Sequence, residues 1–326
     1  IDSAGGGFLD SLPTTSALRF VGVERIDARD SDDSIFFDDA GSVSSLIGGA
    51  GFDTIFGKST ADVMSLSAIG EGTLSAGGIY TNFSGVESFD GRSGDDSLEL
   101  NSISAGLAGS FDGGGGIDTI RGRESLNDYF SVDSVTSAGA AGRLGSSVGS
   151  PANVVGNFIG VEILDGRGNE PSTAGDSLQS TTGNDQFTIT GDSQGSLNSL
   201  LLWNRIENLL GGEGDDTFFF DDASSILNVA GGQGIDTIVG KTPADTFEVT
   251  GISSGIGRTL STYVRFEEID RLDGQQGADR FVVTAAGWIQ QLIGGVGDDT
   301  FEIQGNPNSS GAGAFGRVGS AGIGGI

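Results

Sequence analysis

Aspartate recurs along this chain with an apolar residue two places on, at Asp33, Asp53, Asp62, Asp96, Asp118, Asp128, Asp176, Asp185, Asp216, Asp236, Asp245, Asp279 and Asp299. The intervals between them run 20, 9, 34, 22, 10, 48, 9, 31, 20, 9, 34 and 20 residues, and the series 20-9-34 appears twice. Around five of these acids the pattern is strict. G-G-x-G-x-D begins at Gly48, Gly113, Gly211, Gly231 and Gly294, followed each time by Thr and an apolar residue. Carboxylates repeated in this way have two uses. They can cap turns through hydrogen bonds to the backbone, or they can stack in columns whose like charges repel until a hard cation enters. Calcium takes six to eight oxygen ligands in a tolerant cage, so Asp carboxylates with backbone carbonyls suit it better than they suit magnesium. Paired carboxylates also cleave glycosides. Here the repeat accounts for the acids, no catalytic acid stands apart, and the chain is not expected to be an enzyme.

The elements that must hold these acids are short. Strand signals such as "SIFF", "SLEL", "FTIT", "TFFF", "TFEV", "RFVV" and "TFEI" run three to five residues between Gly, Asn and Asp. A second marker recurs as "FVGVERID" at Phe20, "FSGVESFD" at Phe83, "FIGVEILD" at Phe158, "WNRIENLL" at Trp203 and "FEEIDRLD" at Phe266. Phe20 to Phe83 and Trp203 to Phe266 both span 63 residues, so the chain reads as a tandem array of units starting near 20, 83, 158, 203 and 266. "LNSLLLWNRIENLL" (197–210) has helical apolar spacing, but its repeat equivalents carry glycine and β-branched residues, which predicts strand. Short strands at fixed intervals without crossover helices predict an all-β fold, a parallel β-solenoid or β-roll. Glycine would make each corner, Asp would present a carboxylate there, and the residue two on would drop into the core. Ladders are expected with Phe218 near Ile238 and Phe281 near Phe301. The array is expected to run continuously over 1–304, with 305–326 a Gly-rich tail, and the chain reads as a segment of a larger protein.

Composition narrows the partners. The net charge is −29 with only two lysines, Lys58 and Lys241, so a phosphate backbone would be repelled and nucleic acid is excluded. There is no His and no Cys, which removes imidazole catalysis, zinc sites and disulfides. No apolar run approaches the length of a membrane span. "GKS" at Gly57 and "GKT" at Gly240 lack the upstream glycine of a phosphate loop. "DARDSDDSIFF" lacks the Gly and Glu of an EF-hand. Arg92, Arg167 and Arg271 sit near corners and are expected to pair with carboxylates. Trp203 is expected in the core, and Trp288 is a candidate for a surface that stacks on sugar. Asn82 and Asn308 match glycosylation acceptors.

The strict motif, read as G-G-x-G-x-D-x-U-x with U apolar, resembles the repeats-in-toxin (hemolysin-type calcium-binding) nonapeptide family. Adjacent pairs stand in "GGAGFDTIF GKSTADVMS" and "GGQGIDTIV GKTPADTFE". The resemblance implies a parallel β-roll with Ca2+ between stacked turns, held by Asp carboxylates and backbone carbonyls. Carried over residue by residue, it implies Asp53, Asp118, Asp216, Asp236 and Asp299 as ligands. Asp33, Asp96 and Asp279 would be their partners one coil away, with Asp62 and Asp245 at the opposite edge. This chain departs from the family in its short runs, two nonapeptides at most, so ions are expected only where good turns are consecutive: Asp33/Asp53, Asp96/Asp118, Asp216/Asp236 and Asp279/Asp299. The expectation for function is a calcium-stabilised structural part of a bacterial extracellular or cell-surface fibre or adhesin. It would associate with itself end to end into a filament, with polysaccharide a possible further partner. The alternative is an accessory calcium-binding module of a secreted enzyme.

Overall fold

A computed structural model describes residues 22–124, 126–146, 153–168, 175–259 and 262–304, with the short strands Gly7–Leu9, Leu18–Phe20 and Arg317–Val318. The expected tail at 305–326, with Asn308, otherwise lies outside the described residues. Two compact units are present, Ile1–Thr173 and Ala174–Ile326, each built on the same plan. Among the described residues there is no helix, and so none long and apolar enough to cross a membrane.

Each unit winds between two sheets whose pairings are mostly parallel, so the fold is the predicted β-roll. In the first unit one sheet runs Arg25–Asp30, Ser45–Ala50, Ile79–Ser84, Glu71–Ala76, Asp62–Ala68, Ser97–Leu100, Thr119–Arg121, Ile163–Asp165. The facing sheet runs Ser34–Phe36, Thr54–Phe56, Ser88–Asp90, Leu107–Asp112, Asn153–Val161, Gly139–Gly145, Tyr129–Thr136. The second unit alternates likewise, with Thr217–Phe220 beside Thr237–Val239 in one sheet and Asn208–Glu213 beside Asn228–Gln233 in the other.

The residue two after each Asp falls into an inward ladder. Ile35, Ile55, Phe89, Phe111 and Phe158 pair in succession in the first unit, and Phe187, Phe218, Ile238, Leu272 and Leu292 in the second. Rings stack along these ladders, Phe187 on Phe218 at 4.9 Å and Phe281 on Phe301 at 5.0 Å between centroids. Offset stacking of this kind adds to what area burial alone contributes. Residues 197–210 form strand, not helix: Leu201–Asn204 and Asn208–Glu213 flank a turn, and Trp203 is fully buried.

The winding is not wholly parallel. Four antiparallel three-stranded meanders interrupt it: Asp62–Ala68 with Glu71–Ala76 and Ile79–Ser84, Tyr129–Thr136 with Gly139–Gly145 and Asn153–Val161, Gln186–Gly191 with Gln194–Leu197 and Leu201–Asn204, and Thr246–Gly251 with Ser254–Thr259 and Thr262–Glu267. Three strands reverse direction twice, so the chain leaves each meander running as it entered and the roll continues. In each, a glycine on the middle strand lies under the aromatic of the second marker: Gly72 under Phe83, Gly142 under Phe158, Gly195 under Trp203, Gly255 under Phe266. A Cβ on Gly195 would stand 2.6 Å from Trp203 Cζ2, so only glycine admits the ring.

Candidate metal centre in the stacked aspartate turns

The G-G-x-G-x-D turn is dictated by close approach. In "GGQGID", a Cβ on Gly231 would meet Asp236 Oδ2 at 2.6 Å, so the carboxylate folds back over the bare α-carbon. Gly232 follows at φ +104°, in the region glycine enters without strain. Where the second glycine is missing, Arg29, Arg92, Arg167 and Gln275 take φ of +63° to +77° in its place. Three of those turns gain an Asp carboxylate two residues back that accepts their main-chain N–H: Asp90 for Arg92, Asp165 for Arg167 and Asp273 for Gln275.

The acids then stack in columns in which each main-chain N–H donates to the carboxylate one coil on. In the first unit Asp33 donates to Asp53 Oδ1 (2.8 Å) and Asp53 to Glu87 Oε2 (2.8 Å) at one edge. At the other edge Asp62 donates to Asp96 Oδ1, Asp96 to Asp118 Oδ1 and Asp118 to Glu162 Oε2, all at 2.7 Å. In the second unit one column runs Asp185, Asp216, Asp236, Asp270 (2.8, 2.8 and 3.2 Å), and another Asp245, Asp279, Asp299 (2.7 and 3.0 Å). The four predicted pairs, Asp33/Asp53, Asp96/Asp118, Asp216/Asp236 and Asp279/Asp299, are thus neighbours in the roll.

Two details differ from the sequence reading. Asp62 does lie across from Asp33 and Asp53, but Asp96 and Asp118 share its column instead of theirs, because the meander at 62–84 displaces the winding. The 34-residue intervals also hide a ligand-type residue. Glu87, Glu162, Glu207 and Asp270, the acids of the second marker, complete the columns, with Glu207 accepting the N–H of Asp176 at 2.8 Å. Their signal was the repeated V-E or I-E/I-D step itself. Among the arginines, Arg167 approaches Glu99 at 4.0 Å as expected, whereas Arg92 points its guanidinium at the carbonyls of Phe37 and Gly57, and Arg271 Nε is buried without a partner. Trp288 is 46% exposed, beside Ile252.

One carboxylate oxygen in most of these turns is left over. Asp33, Asp53, Asp96, Asp118, Asp216, Asp236 and Asp279 each bury Oδ2 without a hydrogen-bond partner, and Asp62 does so with Oδ1. A buried ionised oxygen without compensation is costly, and the cost shows in the acidities. Burial pushes Asp96, Asp216 and Asp245 up to about 7, and Asp62, Asp118, Asp236 and Asp279 up to about 6. The inter-coil N–H bonds oppose that rise, and neighbouring carboxylates add to it for the same groups. Among the described residues no three His, Cys, Asp or Glu side chains converge. A cation here would therefore be held by one or two carboxylates completed by turn carbonyls, a donor set of hard oxygens that fits calcium.

The family model described as the RTX calcium-binding nonapeptide repeat (4 copies) matches residues 45–68, which span the Gly48–Asp53 turn, Asp62 and the strands between them. No curated protein matches the chain. RTX nonapeptide repeats bind calcium, so the chain carries a calcium-binding repeat, and the same turn recurs beyond the matched segment.

Proposed function

We propose that this chain is a calcium-fastened structural segment of a secreted or cell-surface protein, with no catalytic role of its own. The observation that carries the reading is the row of buried, unpartnered carboxylate oxygens in consecutive turns. Asp53, Asp96, Asp118, Asp216, Asp236 and Asp279 would hold the ions, with Asp33 and Asp299 at column ends. Bound calcium supplies the positive charge that turns repelling columns into ties between coils, and the chain's own glycines and N–H ladders place the oxygens for it. A high calcium activity outside the cell favours sites of modest affinity such as these. Self-association end to end fits the open edge of the first unit, where Arg25–Asp30 and Ser34–Phe36 terminate their sheets and so present unpaired backbone groups. Calorimetric calcium titration of the dialysed protein, with thermal melts in calcium and in EDTA, tests the reading. Heat-silent titration and superimposable melts would remove it. Sedimentation in calcium tests the assembly, and monomers at all concentrations would leave an accessory module as the better role.

A further inference from the structure

The only two lysines stand in equivalent turns 183 residues apart, "GKST" and "GKTP", and both are buried to 4% exposure. A lone buried ammonium is as costly as a lone buried carboxylate, so each must answer a local need. Lys241 Nζ donates to the carbonyls of Ser224 (2.6 Å) and Asp222 (3.3 Å) in the turn one coil back. Its main-chain N–H donates to Asp245 Oδ2 at 2.7 Å. The next residue, Thr242, ties the same two turns together by donating its hydroxyl to Asp222 and its N–H to Asp222 Oδ1. Lys58 repeats the frame: its N–H donates to Asp62 Oδ2 at 2.6 Å, and Ser59 donates its N–H and hydroxyl to Asp39.

Arg123 occupies the same place in a third turn, after Gly122. It is 6% exposed, and Asp128 is 1% exposed. Arg123 donates its main-chain N–H to Asp128 Oδ2 at 2.5 Å, and its Nε and Nη2 lie 2.9 and 2.7 Å from Oδ1. Both oxygens of Asp128 are therefore partnered within the turn. The contrast is with the G-G-x-G-x-D turns. There the position after the first glycine carries no side chain, and the Asp Oδ2 is left over. At Asp62, Asp128 and Asp245 that same Oδ2 takes the N–H of the basic residue instead.

We infer that the roll contains two kinds of aspartate turn, one completed by calcium and one completed by a cation of the chain itself: Lys241 beside Asp245, Arg123 beside Asp128 and, by the same frame, Lys58 beside Asp62. An ammonium on two turn carbonyls offers the positive charge and the carbonyl contacts that a metal ion offers in the neighbouring coils, at the cost of one tethered side chain. The inference rests on the calcium reading above and refines it, because it takes Asp62 and Asp245 out of the set expected to depend on the ion. It also gives the array fixed points, one in each pair of adjacent nonapeptides, that stay closed when calcium is withdrawn.

Residue-resolved amide exchange on the full chain, in calcium and after dialysis against EDTA, tests this. The amides of Asp96 and Asp216 report calcium-type turns, and those of Lys241 and Arg123 report self-completed ones. Chelation is expected to lower protection at Asp96 and Asp216 by about tenfold or more and to change Lys241 and Arg123 by less than about twofold, since local openings differ in free energy across a fold. Equal loss at all four amides would overturn the division while leaving calcium in its structural role. No change at any of them would overturn the calcium reading and the division with it. In Lys241→Met, the 240–245 amides should lose protection even in calcium, with Asp96 unaffected; retention of protection in that variant would count against the ammonium as the tie.

Discussion

The main-chain N–H of Asp216 donates to Asp236 Oδ1 at 2.8 Å, while Asp236 Oδ2 is buried with no hydrogen-bond partner. One oxygen sets the register between coils and the other carries charge that the protein does not balance. The two tasks separate by substitution. Asp236→Asn can still accept the Asp216 N–H but has no charge. Without metal, the variant should be more stable than the parent, because a buried like charge is gone. In saturating calcium it should be less stable, by about 1–3 kcal/mol for loss of a charged ligand contact. Paired melts in EDTA and in calcium read the crossing, and a variant weaker under both conditions would mean that register is all Asp236 provides.

Acidity offers a second handle on the same oxygens. Burial raises Asp96, Asp216 and Asp245 to about 7 and Asp62, Asp118, Asp236 and Asp279 to about 6, above the roughly 3.9 of an unfolded Asp. The metal-free folded chain therefore binds more protons than the unfolded chain between about pH 4 and pH 7, and its stability falls as pH rises through that window. With calcium bound the slope reverses, since protons compete with the metal for the carboxylates. Denaturant midpoints measured from pH 4 to pH 8 should fall in EDTA and rise in calcium. A metal-free midpoint that climbs with pH would show these carboxylates to be ionised and already compensated.

The glycines of one turn divide by what surrounds them. A Cβ at Gly231 would run into the Glu268 carbonyl and stand 2.6 Å from Asp236 Oδ2. At Gly115 the nearest atom is 4.0 Å away and the backbone is not left-handed. Gly231→Ala should thus cost about 2 kcal/mol or more, through a displaced backbone and carboxylate. Gly115→Ala should be neutral or stabilise by about 0.4–1 kcal/mol, because it stiffens the unfolded chain. Comparable losses in both variants, by denaturant unfolding in calcium, would mean that carboxylate packing is not what selects the first glycine.

Much of this was legible because the repeat writes the coil into the chain. Asp216 and Asp236 lie 20 residues apart, and Phe218 and Ile238 with them, so column and core ladder follow from one interval. The meanders were not legible in the same way. "SLSAIGEGTLSAGGIYTN" reads as an interruption, yet its strands sit in the sheet, because the local alternation that makes a strand does not state whether the partner runs parallel or antiparallel. That choice also moved Asp96 to the column of Asp62. The role of Glu87 was hidden for a related reason. Its place in the column depends on which coil the meander returns to, and only the three-dimensional order of the strands decides that. Lys241 read as a failed phosphate-loop residue, since nothing in "GKT" shows that the carbonyls of 222 and 224 lie over it.

The meanders make a claim of their own that does not involve metal. Gly195 lies directly across from Trp203, whose ring fills the space above it, and Gly255 stands in the same relation to Phe266. An aromatic laid over a strand glycine covers backbone that would otherwise face an unfilled gap, and this pins which residue of the hairpin pairs with which. Gly195→Ala places a methyl 2.6 Å from Trp203 Cζ2 and against the Thr188 carbonyl, so ring or strand must shift, at about 1–3 kcal/mol. Trp203→Ala should cost about 3–5 kcal/mol through the cavity it leaves. Trp203→Phe, which matches the residue in the other three meanders, should cost much less. The double variant Gly195→Ala/Trp203→Phe distinguishes packing from register. If the ring and the glycine act as one unit, its loss falls well short of the sum of the single losses. Strict additivity across the cycle would show that the two residues do not depend on each other.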